Sequence, residues 1–338
     1  MRNRKLHLIL ITVLVLALAL VGCSGARDQA TVLKDLTNLR QDMKSYEAQA
    51  MMTVNANNTT QKYYIETWYL SPNFYRIALG NEQKEITQVI VRNDDGIFVV
   101  SPQLKKSFRF KGDWAENQGH VYLYHAALDR IVNAPEKEFA AKDGHVSFTM
   151  KMEPENPLIS KQRITLKDSG YEPTQVALLD KDEKAIVSVD YSSFKKGVGF
   201  KKEQFTPEAA MAMAAQTDGA KAVMAGAKDF GLIEPRYVPA GSKQLDPQET
   251  SSMVMLRYGG NTPFTITEQR PAAKDTALYK GQIVDLWGST AVVSGTDGTN
   301  GTRTMQWFHN GVEFSMTGKM ALAEMVKVAQ SMIDSVGK

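Results

Sequence analysis

Tyr46-Glu47-Ala48-Gln49-Ala50-Met51-Met52-Thr53-Val54 is the stretch whose reading decides the fold. Tyr46, Ala48, Ala50, Met52 and Val54 alternate with mostly polar neighbours. A period of two turns one face of a strand to a core and the other to water. Asn55-Ala56-Asn57-Asn58 supplies a turn, and Gln61 to Leu70 follows, apolar on both faces except at Glu66. Tyr63, Ile65 and Tyr69 share one side of that second strand; Trp68 and Leu70 share the other. Ser71-Pro72-Asn73 interrupts, and Phe74 to Leu79 resumes. Glu85 to Val91 and Ile97 to Val100 flank the turn Asn93-Asp94-Asp95-Gly96, and Lys106 to Phe110 completes a meander of about six strands.

Upstream of this meander the period changes. Leu33, Leu36, Leu39, Met43 and Tyr46 recur at steps of three and four, with Lys34, Asp35, Arg40, Asp42 and Lys44 on the other face. The spacing predicts an amphipathic helix capped by Thr31. Its polar face mixes both charge signs, so the apolar stripe is read as packing on the sheet rather than on lipid. Residues 23–30 are mostly small and polar, a short tether.

The chain begins with Arg2, Arg4 and Lys5 and an uncharged apolar run from Leu8 to Val21. A basic start before a short apolar segment marks residues 1–22 as a secretory signal peptide. The run falls short of the ~20 residues that span a bilayer. Leu20-Val21-Gly22-Cys23 resembles the bacterial lipoprotein signal, or lipobox. That resemblance implies cleavage after Gly22 and lipidation of Cys23. A palmitate-type acyl anchor would then hold the chain on the extracytoplasmic face of the cell membrane. An ordinary signal with a chance cysteine is the other reading.

The signal also changes the charge balance. The whole chain carries 40 Lys and Arg against 37 Asp and Glu, and three of the basic residues are Arg2, Arg4 and Lys5. Without them the signs balance, which leaves no electrostatic footprint for nucleic acid. Cys23 is the sole cysteine. No internal disulfide, thiolate nucleophile or Cys-based zinc site is therefore available. Stability must come from a hydrophobic core, which 43% hydrophobic residues make attainable at 338 residues.

Beyond the meander, Val121 to Val132 reads as a helix with Leu123, Ala127, Leu128 and Ile131 on one face. Strands return at Phe139, Val146 to Met152, Arg163 to Leu166, Thr174 to Leu179 and Ala185 to Tyr191. Hairpins of this kind build a long antiparallel sheet. Residues 206–228, rich in Ala and Met, are either a helical connector or a flexible linker, and they separate residues 31–205 from 229–338. The second part reads as a smaller α+β unit. It has strands at Met253 to Arg257, Phe264 to Glu268, Gln282 to Trp287, Ala291 to Ser294, Thr304 to Phe308 and Val312 to Met316. Asn310-Gly311 is a strong hairpin signal. Leu322, Met325, Val328, Ala329, Met332 and Ile333 form the stripe of a last helix.

The order of elements across residues 31–205 resembles the outer-membrane lipoprotein carrier (LolA-like) superfamily. The resemblance rests on a helix ending in Ser45-Tyr46-Glu47-Ala48 and a Trp68 strand leading to Pro72-Asn73-Phe74-Tyr75-Arg76. Paired strands around Asp95-Gly96-Ile97-Phe98-Val99-Val100-Ser101-Pro102 complete it. It implies an α+β fold: a curved antiparallel half-barrel sheet with covering helices. The second part resembles a domain of unknown function attached to such lipoproteins in spore-forming bacteria, through Thr304-Met305-Gln306-Trp307, Asn310-Gly311-Val312 and Leu322-Ala323-Glu324-Met325. The whole is similar to sporulation-associated lipoproteins. A tethered chain departs from the soluble carrier, because it cannot travel between two membranes.

On this resemblance Tyr63, Ile65, Tyr69, Phe148, Met150 and Met152 are the candidate ligand-binding residues, lining a concave space for an acyl chain, lipid or lipoprotein. Flexible Met side chains suit variable acyl chains; filling a core is the plainer role. The alternative function is docking of an envelope or spore-wall partner through exposed sheet edges.

Signals for catalysis are poor, and the chain is expected not to be an enzyme and to need no metal or cofactor. His120 and His125, five apart, do not share a helical face, and His145 and His309 stand alone. Ser192 and Lys195 match an SxxK spacing without its companion motifs. Asp180, Asp182 and Glu183 lack the Gly and final Glu of a calcium loop. Gly295 to Gly301 lacks the Lys of a phosphate loop and reads as a hairpin tip.

Overall fold

A computed structural model of the chain describes residues 28–56, 59–103, 105–111, 121–152, 159–216, 232–269, 278–295, 301–309 and 311–333. The expected signal peptide, Cys23, most of the tether, His120, Asn310, residues 217–228 of the expected linker and most of the Gly295–Gly301 tip lie outside the described residues.

Helix α1 (Gln29–Asp42) leads into six strands: β1 (Ser45–Ala56), β2 (Thr59–Leu70), β3 (Phe74–Gly80), β4 (Ile86–Asn93), β5 (Gly96–Ser101) and β6 (Lys106–Lys111). The cap of α1 is Asp28, not Thr31: the Asp28 carboxylate accepts the backbone N–H of Thr31 at 3.0 Å and its hydroxyl at 2.6 Å. A carboxylate three residues earlier satisfies an orphan donor and suits the positive end of the helix dipole. Within the helix Val32 and Leu36 are fully buried, while Leu33 and Leu39 are only partly so.

After α2 (Tyr124–Asn133) the strands β7 (Glu138–Lys142), β8 (His145–Lys151), β9 (Lys161–Lys167), β10 (Pro173–Leu179) and β11 (Ala185–Lys196) return through hairpins. The last of them crosses back to pair with β1, from Tyr46 opposite Lys196 to Val54 opposite Val187. A bulge between Gln49 and Ala50 interrupts this seam. The result is a half-barrel sheet in the order β6-β5-β4-β3-β2-β1-β11-β10-β9-β8-β7.

Its two faces are covered by different elements. Alternation along β3 shows the division, with Ile77 and Leu79 in the main core and Ala78 in a smaller cluster on the back. Helices α1 and α2 cover the main-core face. Arg40 of α1 pairs with Asp129 of α2, and His125 Nδ1 stands 3.4 Å from the same carboxylate. Burial pulls Asp129 upward, but His125 and Arg40 outweigh it and hold the carboxyl below its ordinary range. The back is covered by α3 (Pro207–Gln216), whose Ala210 and Ala214 are buried against Tyr64, Ile86, Val89 and Val100. Residues 207–216 of the Ala- and Met-rich stretch thus form a packed helix. Small side chains let it lie close to the sheet.

The second sheet contains β12 (Ser242–Gln244), β13 (Gln248–Glu249), β14 (Met253–Gly260), β15 (Phe264–Gln269), β17 (Gln282–Asp285), β18 (Thr290–Gly295), β19 (Arg303–His309) and β20 (Val312–Gly318). Its order is β12-β14-β15-β20-β19-β18-β17, with β13 also on β14. Helix α4 (Leu322–Ile333) lays Met325, Val328, Ala329, Met332 and Ile333 on one face, over Leu256, Ile266, Trp307 and Phe314. One strand from this part of the chain leaves it: β16 (Leu278–Lys280) pairs in parallel with β6 and becomes the twelfth strand of the half-barrel.

Candidate functional site

The six candidate ligand-binding residues fall into two groups. Tyr63, Ile65 and Tyr69 stand on β2; Phe148 and Met150 stand on β8, with Met152 just past its end. Four strands separate β2 from β8, about 24 Å along the sheet at ~4.8 Å per strand step. All six turn to the main-core face. Ile65, Tyr69, Phe148 and Met150 are buried, whereas Tyr63 and Met152 are partly exposed. The Tyr69 ring packs among Tyr46, Tyr75 and His125, at centroid distances of 5.2, 4.9 and 5.4 Å. Phe148 meets Phe139 at 5.2 Å. Tyr69 therefore sits beneath α2 and Tyr63 against Gly288, while the β8 group lies toward the sheet's other end. The β8 group borders a cleft of about 170 Å³ lined by Glu136, Lys137, Glu138, Thr149, Met150, Lys151 and Lys161.

Part of the concave face is occupied by the second unit. Ile283, Trp287, Val292 and Phe308 belong to the main core of the half-barrel, whereas Leu286, Ala291, Val293 and Trp307 belong to the core under α4. Residues alternate between the two cores along β17, β18 and the end of β19, as side chains on opposite faces of one sheet must. Phe308 stacks on Phe108 of β6 at 3.9 Å between centroids, and Gln88 Oε1 of β4 accepts the backbone N–H of Thr290 at 3.1 Å.

The tip of the β17–β18 hairpin shapes this plug. Leu286 N–H donates to Ser289 O at 2.8 Å, and Trp287 N–H donates to Asp285 Oδ1 at 2.7 Å. Trp287 and Gly288 both adopt left-handed backbone, with φ of 55° and 118°. Such a conformation is uncommon for a bulky residue and persists where packing fixes it. Here Trp287 is buried in the half-barrel core, and Gly288 lies so close to Tyr63 that a Cβ there would overlap the ring. Tyr63 touches both hydrophobic cores and serves as the floor of the junction.

Asp285 is the charged member of the junction. It is buried beside Tyr122, whose hydroxyl bonds to it. Burial raises its carboxyl to about 7, against the opposing pull of the Trp287 N–H and the Tyr122 hydroxyl. Beside it runs a narrow polar seam formed by Thr87, Gln88, Ser101, Gln103, Ser289 and His309. Burial pushes His309 down to about 4, so the imidazole is neutral there.

Other chemical candidates have local partners. Ser192 Oγ donates to Gln49 O at 3.2 Å, and Lys195 reaches toward Glu47 at 3.8 Å. Asp180 Oδ1 accepts the N–H groups of Asp182 and Lys184, and Glu183 pairs with Lys161 at 2.7 Å. His145 Nδ1 lies 2.9 Å from Asp143 O. Among the described residues no group of three or more His, Cys, Asp and Glu could hold a metal, and no helix is long and apolar enough to cross a membrane.

Sequence reasoning missed the plug, although it placed strands at 282–287, 291–294 and 304–308. The usable signal was the doubly apolar pattern of Ile283, Val284, Leu286, Ala291, Val292 and Val293. A strand apolar on both faces is buried on both.

Comparison with known proteins adds kinship to this geometry. Sporulation protein YdcC of Bacillus subtilis (strain 168) is 31% identical over 338 residues, covering 97% of both chains. The MucA/MucB complex of Pseudomonas aeruginosa contains a chain with a TM-score of 0.34 and 12% identity, covering 89% of this chain and 97% of that one. A LolA superfamily protein from Nitrosomonas europaea gives a TM-score of 0.30 and 12% identity, over 54% of this chain and 98% of its own. A family model described as sporulation protein YdcC-like matches residues 3–205. The chain belongs to the YdcC-like family of sporulation proteins.

Proposed function

We propose that the chain is a non-enzymatic lipoprotein, anchored through Cys23 on the extracytoplasmic face of the membrane, that docks another envelope protein during sporulation. The observation carrying this reading is the plug. A carrier needs its concave face open, and here Ile283, Trp287, Val292 and Phe308 pack into it. Kinship with sporulation proteins supports the setting, and the lipobox-like Leu20-Val21-Gly22-Cys23 supports the anchor. A fixed plug turns the half-barrel into a rigid platform whose edges and loops remain for recognition. Affinity capture from sporulating cells, with the anchored chain as bait, tests it. One envelope protein in stoichiometric yield is the expected result, and lipid alone in the eluate overturns it.

A second reading, binding of an acyl chain, lipid or lipoprotein, draws support from the 170 Å³ cleft. Met150 gives it a soft apolar floor, and on its walls Lys151 and Lys161 pair with Glu136 and Glu138 at 3.7 and 3.5 Å, contacts that an anionic headgroup would replace. Native mass spectrometry distinguishes the two. A co-purifying lipid that is lost in Met150→Asp favours this second reading, and an unliganded mass removes it.

A further inference from the structure

The twelve-stranded sheet ends differently on its two sides. At one end the chain supplies its own extra strand, β16 on β6. At the other, β7 is the last strand among the described residues. Its side chains alternate between exposed Glu138, Ala140 and Lys142 and half-buried Phe139 and Ala141. From the β7–β8 turn we infer that this edge pairs antiparallel with β7 of a second copy of the same chain, about a two-fold axis at Ala140. The inference goes beyond the docking reading, since the partner at this edge is a second copy rather than another protein.

Backbone phase allows the pairing. Lys142 lies opposite His145 across the two-residue turn Asp143-Gly144, where both residues have positive φ, 51° and 73°. This is the primed turn that closes a tight hairpin. Lys142, Ala140 and Glu138 therefore direct their N–H and C=O groups to β8, and Phe139 and Ala141 direct theirs outward. A two-fold axis at Ala140 sets Phe139 of each copy against Ala141 of the other, and all of these outward groups find partners. The bulky ring faces a methyl group rather than a second ring.

Charge selects the same register. Charges on an edge strand ordinarily deter pairing. Here the order Glu138-Phe139-Ala140-Ala141-Lys142 is self-complementary on reversal, so each Glu138 faces Lys142 of the other copy. Parallel pairing would set Glu138 on Glu138 and Lys142 on Lys142. Both groups are exposed enough to reach across, with side chains 73% and 84% exposed. The neighbours facing Glu138 and Lys142 are Lys161, 3.5 Å from Glu138, and Asp143, 3.8 Å from Lys142.

Ala140→Cys in the full membrane-bound chain gives the direct test. In the proposed register the two residues form a non-hydrogen-bonded pair, with Cα atoms about 4.5 Å apart, within disulfide range. Mild oxidation is expected to convert most of this variant to a linked dimer. The parent chain, whose sole cysteine is Cys23, sets the baseline, and His145→Cys, exposed on β8, is expected to stay at it. Adding Glu138→Lys should lower the dimer yield about fivefold, through two like-charge contacts, and adding Lys142→Glu as well should restore it. A linked dimer no more abundant than in His145→Cys overturns the inference, and so does failure of the double exchange to restore what the single one removes. Capture of a stoichiometric envelope protein alongside an unlinked Ala140→Cys chain would overturn this inference alone and leave the docking reading standing.

Discussion

Asp285→Asn should flatten part of the pH dependence of stability, and the size of the effect follows from the junction. The Asp285 carboxyl moves from 3.8 to about 7 on folding, chiefly through burial. An acid whose pKa rises on folding binds more protons in the native state, so stability falls as pH climbs from the unfolded value to the folded one. The penalty is absent well below pH 3.8 and complete above about 7. At ~1.4 kcal/mol per unit the whole shift is worth about 4 kcal/mol. Integrating the linkage gives about 1 kcal/mol at roughly pH 4.5 and about 4 kcal/mol at roughly pH 7.5. Asn keeps an oxygen for the Trp287 N–H, now 2.7 Å from Oδ1, but cannot ionise. Urea unfolding at the two pH values, followed by tryptophan fluorescence, reads the difference between variant and parent. It should shift by about 3 kcal/mol in favour of Asn at the higher pH. Glu268, raised to about 8 by burial, adds a slope of the same sign, but it cancels in the difference. A difference that does not change with pH would refute the placing of a buried carboxyl at this junction.

Trp287→Ala should cost about 3–5 kcal/mol, and dye binding to newly exposed apolar surface should rise as the plug loosens. Gly288→Ala should cost about 1–3 kcal/mol by overpacking against Tyr63. A double-mutant cycle with Tyr63→Ala should recover about 1 kcal/mol of it; additive costs would mean that the two residues do not meet. Glu66→Ala should cost about 3 kcal/mol in thermal unfolding, because it strands Arg76, which is 4% exposed and bonded to Glu66 at 2.6 Å. A loss below about 1 kcal/mol would mean that water reaches the guanidinium.

Much of the first sheet can be read from local pattern. Tyr46, Ala48, Ala50, Met52 and Val54 all enter the core, as the period of two requires. The last helix buries the stripe its spacing marks, apart from Leu322, which is only partly covered. What local pattern lacks is partner choice. Nothing in Tyr46 or Lys196 says that they face one another, because a strand's hydrogen bonds are chemically the same toward any neighbour. The α1 cap is ambiguous in sequence for a related reason: Asp28 and Thr31 are both good caps, and the deciding contact joins the two. At the site, an apolar Tyr63 or Ile65 reads alike whether it meets a ligand, a helix or a second unit. Tyr63 meets the plug, which comes from more than two hundred positions away, with Thr290 on Gln88.

The strand that β16 lends to β6 sets an order of events for the nascent chain. The half-barrel cannot be completed while Leu278 is unmade, and its central seam must wait for Lys196 to meet Tyr46. Contacts so distant in sequence close slowly. The first strands therefore stay unlocked until these late elements have been made. The late strand is in effect a clasp, fastened after the strands it closes have been made.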